Sequence, residues 1–194
     1  MSKYPALATE TAVRAYVRAQ LAAAVPDARH GWHWPSLTTG GDSRVVVLRG
    51  VDAGGDLLTW YTDRRSEKVA QLRSDPRATM LFYNGDHRTQ LRLYGVAEEE
   101  IDGEARRRSW EGVSPRAKAN YVTAQAPGTP LAGGRAATDL PVGWPRLTAP
   151  QDARAFANFA VYRTRVARAD FLQLLGEGAF RSRWSDEGFA FVTP

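Results

Sequence analysis

Four clusters of side chains have the types and spacing to hold an anion or the polar edge of a flat ring. In "SRVVVLRG", Arg44 and Arg49 bracket Val45, Val46, Val47 and Leu48. Unpaired buried charge is costly, so these arginines are either sheltered beside an anionic partner or placed at a rim in water. Their odd spacing sends them to opposite faces of a strand. One can then reach a phosphate while the other meets a different group, or both pack their stems along a rim. The second cluster, "WYTDRRSEK", brings a strand end, a short loop and a helix start together with Thr62, Arg64, Arg65, Ser66 and Lys68. Hydroxyls, cations and the free N–H groups of a helix start suit a phosphate monoester, although a solvated charged turn reads the same way. In "RTQLRLYG", Gln90 is either a solvent-face residue or an amide offering donor and acceptor to a heteroaromatic edge. In "FRSRW", Arg181 and Arg183 project to one side of a strand, facing water or sharing an anion.

Other chemistry finds little support. The chain has 194 residues and no cysteine, which excludes disulfide and thiolate chemistry. Its three histidines, His30, His33 and His87, lack metal-ligand spacing, so no metal is expected. No phosphate-binding P-loop, dinucleotide fingerprint, nucleophile elbow or zinc-protease motif occurs. A net charge of +5 favours anionic partners without naming one. No apolar run reaches the ~20 residues that cross a bilayer and no signal-peptide pattern is present, so a cytoplasmic protein without membrane partners is expected.

These side chains need elements to position them. Ala12, Val13, Tyr16, Val17, Gln20, Leu21 and Ala24 recur at helical spacing behind Thr9, a suitable N-cap, and Pro26 closes that helix. Strands are expected at Arg44–Arg49, Leu57–Thr62, Ala78–Tyr83 and Thr89–Ala97, with a helix between the second and third opened by Ser66 and ended before Pro76. "EEEIDGEARRRSWEG" and "SPRAKANYVTAQ" read as a helix pair, the second starting at Ser114 with Pro115 at its first position. Residues 126–150 are rich in Gly, Pro and Ala, too long for a simple connection, and read as a functional or interface loop. Strands return in "FAVYRTRVARADFLQLL", "FRSRWS" and "FAFVTP". The pattern is mainly β, α+β, an antiparallel barrel with an N-terminal helix and inserted helices.

In this order the clusters resemble the pyridoxamine 5'-phosphate oxidase-like family of FMN-binding split β-barrels, from about Ser43 to the C-terminus. The residues that carry the resemblance are "RVVVLRG", Tyr61–Thr62, the Ser-x-Lys of Ser66–Lys68, "LFY" at Leu81–Tyr83, and Gln90. The resemblance implies one domain: residues 1–42 as helix and loop, 43–100 as the first barrel half, 101–150 as helices and interface loop, and 151–194 as C-terminal strands. It implies that FMN lies along Arg44–Arg49, with Arg44 and Lys68 on its phosphate, Tyr61 and Thr62 lining it, and Gln90 on its polar side. The family has an arginine where Glu67 stands, so Arg64 or Arg65 is expected to substitute. "YVTAQAPG" makes Gln125 a cofactor candidate, Ala126 replacing the family's serine. Leu172 or Gln173 stands where the family has a tryptophan. Arg183 is the implied flavin arginine, with Arg181 as the alternative.

The positions that bind substrate in the true oxidase read Arg49, Trp110, Ser114, Lys118, Ala179 and Arg181. Most of that set is changed. Arg49, Trp110 and Lys118 remain substrate-site candidates, an anionic substrate is allowed, and pyridoxamine phosphate oxidation does not follow. The implied protein is a homodimeric FMN-dependent oxidoreductase, with flavin at the subunit interface and no evident acid or base, so that catalysis rests on positioning. A flavin carrier or sensor without turnover, and a basic nucleic-acid-binding barrel, are the alternatives. Dimerisation is also expected to cover Trp32, Trp34 and Trp144, which lie in loop-like segments.

Overall fold

The structure, a computed structural model, describes residues 7–130, 146–175 and 178–194. Helix α1 (Glu10–Ala24) starts at Thr9, whose hydroxyl accepts the Ala12 N–H, and buries Val13, Val17, Leu21 and Ala24 as one stripe. Burying side chains of this kind stabilises by about 1.5–3 kcal/mol for each large aliphatic residue. The histidines tie this helix down. His87 shares a hydrogen bond with the Tyr16 hydroxyl, His30 bonds Gln20, and His33 bonds the Ala24 carbonyl at 2.6 Å.

Nine strands follow: β1 (Ser36–Thr39), β2 (Asp42–Val45), β3 (Gly50–Val51), β4 (Leu57–Asp63), β5 (Arg77–Asn84), β6 (Thr89–Glu99), β7 (Phe159–Leu175), β8 (Gly178–Ser185) and β9 (Gly188–Phe191). Every pairing is antiparallel, in the order β2-β1-β5-β6-β7-β4-β3. Strands β2 and β3 lie at opposite ends of that order, yet they are consecutive in the chain. The segment between them is hydrogen-bonded first to one side and then to the other: Val46 N–H to the Pro35 carbonyl, Leu48 N–H to the His33 carbonyl, and Arg49 N–H to the Thr59 carbonyl. This crossing joins the two ends and closes a barrel. The expected strand Arg44–Arg49 is thus a strand that changes partners midway.

Side chains alternate along it. Val46 and Leu48 point into the core with Leu37, Leu58, Trp60, Met80, Phe82, Leu91 and Phe171. Val45 and Arg49 face out. Strand β7 pairs β4 over its first half and β8 over its second, while β6 runs along its other side. A register shift at Tyr94/Gly95 lets β6 follow the bend. Only glycine fits there, because a Cβ on Gly95 would meet the Arg165 carbonyl oxygen at 1.9 Å.

A second core joins Trp110 of α3 (Gly103–Glu111), Val113, Val122, Ala155 of α5 (Ala149–Asn158), Phe159 and Val161. Between α3 and α5 lie the short helix α4 (Pro115–Lys118) and a 3₁₀ turn at Ala119–Tyr121. The helix expected across the acidic run starts later than the sequence reading had it. Glu98 and Glu99 end β6, and Asp102 caps α3 by accepting the Glu104 N–H. Trp32 needs no second chain, being fully buried against Phe82, whereas Trp34 is 51% exposed. Trp144, with residues 131–145 of the long loop, lies outside the described residues.

Candidate functional site

The strongest convergence of cations and hydroxyls lies at the head of α2 (Glu67–Ser74). Strand β4 ends by delivering buried Thr62, and Ser66 occupies the N-cap with its hydroxyl free of any capping bond. Lys68 reaches back so that Nζ donates to Thr62 Oγ1 at 3.1 Å and to Ser66 Oγ at 3.3 Å, and the two hydroxyls are 3.3 Å apart. Burial lowers the Lys68 pKa, and the neighbouring Arg44 charge lowers it further, against a smaller upward pull from Asp63. Arg44 is held over α2 by donating to Asp42 and, at 2.9 Å, to Gln71 Oε1. A half-buried ammonium resting on two hydroxyls, with a guanidinium beside it and a helix N-terminus below, fits an anionic phosphate.

Neither Arg64 nor Arg65 takes the place of the family's missing arginine. Arg64 pairs with Glu99. Arg65 folds onto Asp63 and donates to the Thr123 and Ala124 carbonyls at 2.9 and 3.2 Å. Each finds a nearby carboxylate, which removes it from the cage. Glu67 itself turns along the helix and accepts from Gln71. The clamp on residues 123–124 brings exposed Gln125 to the same side of the molecule, its carbonyl accepting from Thr123 Oγ1.

Around the rim, Arg49 lies 5.7 Å from the Tyr61 ring, and Tyr61 packs edge-on against Phe159. Tyr121, next to them, is pushed up to about 12 by burial. Trp110 lies in the second core. It is 1% exposed, packed edge-on or tilted against Tyr121, Phe156 and Phe159, and donates its indole N–H to Asp152. Lys118 sits over that ring, 3.5 Å from Asp152, which leaves it structural. Ser114 caps α4. Of the three substrate-site candidates, Arg49 is exposed, Lys118 partly buried and Trp110 buried.

Gln90, Arg181 and Arg183 lie elsewhere, on the outer face of β6–β8. The ladder places Tyr83, Gln90, Leu172 and Arg181 in one row. Leu81, Arg92, Asp170 and Arg183 form the next. Asp170 is buried and accepts from Arg92, Arg181 and Arg183. Burial pushes its carboxyl upward, but the hydrogen bonds from Arg181 and Arg183 and the charge of Arg92 outweigh it and hold it below the ordinary range. The sequence reading missed Asp170, Arg92, Gln71 and Asp63. For Arg92 and Asp170 the only signal is register: they face each other solely because β6 and β7 pair as they do.

Residues 6–99 match the family model described as pyridoxamine 5'-phosphate oxidase, FMN-binding domain. A pyridoxine/pyridoxamine 5'-phosphate oxidase of Kineococcus radiotolerans is 30% identical over 142 residues, 70% of this chain and 62% of the relative. The chain spans between 25% and 62% of the length of the first curated oxidases it matches. Among solved structures, a pyridoxamine 5'-phosphate oxidase-related FMN-binding protein of Nostoc punctiforme superposes with a TM-score of 0.72 at 22% identity, covering 100% of both chains. PhzG of Burkholderia lata, in complex with tetrahydrophenazine-1-carboxylic acid, superposes at 0.67 and 18% identity, covering 95% of this chain and 91% of its own. At these identities the structural likeness establishes the fold alone. Residues 6–99 thus match the FMN-binding domain of the pyridoxamine 5'-phosphate oxidase family, and the chain is similar to these oxidases over 70% of its length.

Proposed function

We propose that this protein is a homodimeric FMN-dependent oxidoreductase acting on a small, anionic organic substrate. The observation that carries the reading is Lys68 resting on Thr62 and Ser66 beside Arg44, with no carboxylate among the described residues bonded to the ammonium. Lys68, Arg44, Thr62 and Ser66 hold the FMN phosphate in this reading. The backbone of Val45–Arg49 runs beside the cofactor, since Val46 and Leu48 turn their side chains into the core. Tyr61 lines the ring side, and Gln125 contributes from the segment clamped by Arg65. When bound, FMN supplies hydride acceptance and donation at its ring. Arg49 binds the substrate's anionic group, and the exclusion of water around it falls to Tyr61 and the second subunit.

A second copy is supported by the outer sheet face, where Val45 is 63%, Tyr83 57% and Leu81 39% exposed. An apolar sheet surface of this kind is covered by a partner in stable proteins. The second copy brings Gln90 and Arg183 toward flavin held chiefly by the other subunit. Pyridoxamine 5'-phosphate is a poor substrate in this reading, because Trp110 is part of the core and Ser114 is a helix cap. Anaerobic titration of the FMN-loaded protein with small carboxylates, phosphate esters and reduced nicotinamides tests the proposal. Bleaching of the flavin band by one of them supports it. Tight FMN binding with no bleaching by any class would make the protein a carrier or sensor. Rapid peroxide release with pyridoxamine 5'-phosphate would overturn the substrate assignment.

A further inference from the structure

We propose that Asp170 is a positioning residue that presents the Arg183 guanidinium to the flavin ring, with Arg181 and Arg92 as its locking counter-charges. This rests on the reading above, in which the ring meets Arg183 on the outer face of β8.

The hydrogen bonds distinguish the three arginines. Arg181 binds Asp170 with two donors, Nε to Oδ1 at 3.0 Å and Nη2 to Oδ2 at 2.9 Å. Its fork is closed on the carboxylate, and its side chain is 19% exposed. Arg92 adds Nη2 to Oδ2 at 2.8 Å, while its buried Nε has no partner. Arg183 is attached by Nε alone, at 2.8 Å to Oδ2, and its side chain is 47% exposed. Among the described residues, neither of its terminal nitrogens is engaged. With Arg181 on both carboxylate oxygens and Arg92 on Oδ2, Arg183 meets Oδ2 through Nε only. The carboxylate therefore fixes the direction of that fork without consuming it. This separates the two arginines that sequence spacing left equivalent: Arg181 is the lock and Arg183 the presented group.

Three guanidinium charges on one carboxylate leave a local excess of two positive charges, and no other acid among the described residues pairs with any of them. Preorganised positive charge at the edge of a ring that gains electrons stabilises the reduced form, because the donors are already in place when the negative charge develops. Asp170 supplies that preorganisation.

The test measures the flavin midpoint potential, the FMN and riboflavin dissociation constants and thermal unfolding for the FMN-loaded wild type and the variants Arg183→Gln, Arg183→Lys, Asp170→Asn and Arg92→Lys. Arg183→Gln should lower the potential and weaken FMN and riboflavin alike, since it acts on the ring and not on the phosphate. Arg183→Lys should recover part of the loss. The sign for Asp170→Asn is diagnostic. Removing a negative charge would by itself raise the potential, whereas loss of positioning lowers it, and a fall is expected. Arg92→Lys, on a partly exposed residue, keeps the charge but disturbs the lock on Oδ2, so it gives a smaller fall and keeps the test open should Asp170→Asn not fold. An unchanged or raised potential in Asp170→Asn, or no change in Arg92→Lys when the former is unfolded, overturns the proposal while Arg183→Gln still shifts. No shift in Arg183→Gln would instead remove the ring from this face and take the underlying reading with it.

Discussion

The cage at the head of α2 and the collar around Asp170 are both built from cations, and they are finished in opposite ways. In the cage, Lys68 leans on hydroxyls and has no bonded acid among the described residues. In the collar, a buried carboxylate already answers three arginines. The first arrangement leaves room for an anion from outside, which the proposed function assigns to the FMN phosphate. The second is largely complete and offers only what Asp170 leaves free. A basic residue count therefore says little about ligand binding until the internal acids have been located.

Breaking each region should hurt in a different currency. The largest effect is expected from Asp170→Ala, which strands three guanidinium groups. Breaking a fully buried pair costs about 3–5 kcal/mol. Because these arginines are partly exposed and screened, about 2–3 kcal/mol is expected. Denaturant unfolding monitored by tryptophan fluorescence measures it, and a loss below ~0.5 kcal/mol would make the collar a surface feature. Lys68→Met should do the reverse, leaving stability nearly unchanged while weakening FMN. Loss of a charge-assisted bond worth about 1.5–3 kcal/mol corresponds to roughly 10- to 150-fold in affinity, with riboflavin scarcely affected. Equal weakening of both flavins would move the phosphate elsewhere.

The pH dependence sharpens the same contrast. Burial and Arg44 depress the Lys68 pKa in the free protein, and a bound phosphate favours the protonated form and raises it. The preference for FMN over riboflavin is thus full below the depressed value and is lost as pH rises through and beyond it, starting below the ordinary lysine value of about 10.4. A preference that holds level through pH 10.4, or grows with pH, would contradict Lys68 as a ligand. The smallest effect is expected from Glu67→Arg, which restores the family's cation at the helix start. It should tighten FMN a few-fold, in line with ~0.3–1 kcal/mol for an exposed group near the cage. An isothermal titration that finds weaker binding would place that position outside the phosphate's reach.

The cage was legible because its parts are close in the chain. Thr62, Ser66 and Lys68 fall within one strand-to-helix turn, and Arg44 opens a recognisable β-branched run. Arg44 and Arg49 have different neighbours, the first bonded to Gln71 of α2 and the second over the Tyr61 ring. What escaped depends on long-range pairing. No spacing rule puts Arg92 opposite Asp170, or Glu99 where it captures Arg64. The partner change at Val46–Arg49 was hidden for the same reason: a strand that closes a barrel has the same apolar alternation as one that does not. Trp110 was ambiguous because a tryptophan at a family substrate position can equally fill a core, and only the packing of α3 against Phe159 places it there.

The central claim, that the head of α2 is a phosphate cage, is tested most directly by titrating the cofactor-stripped wild-type protein with FMN and riboflavin under identical conditions. The two ligands differ only in the phosphate that Lys68, Arg44, Thr62 and Ser66 are assigned to hold. FMN should bind at least about tenfold more tightly, the equivalent of one charge-assisted hydrogen bond. Equal affinities for the two flavins would contradict the account.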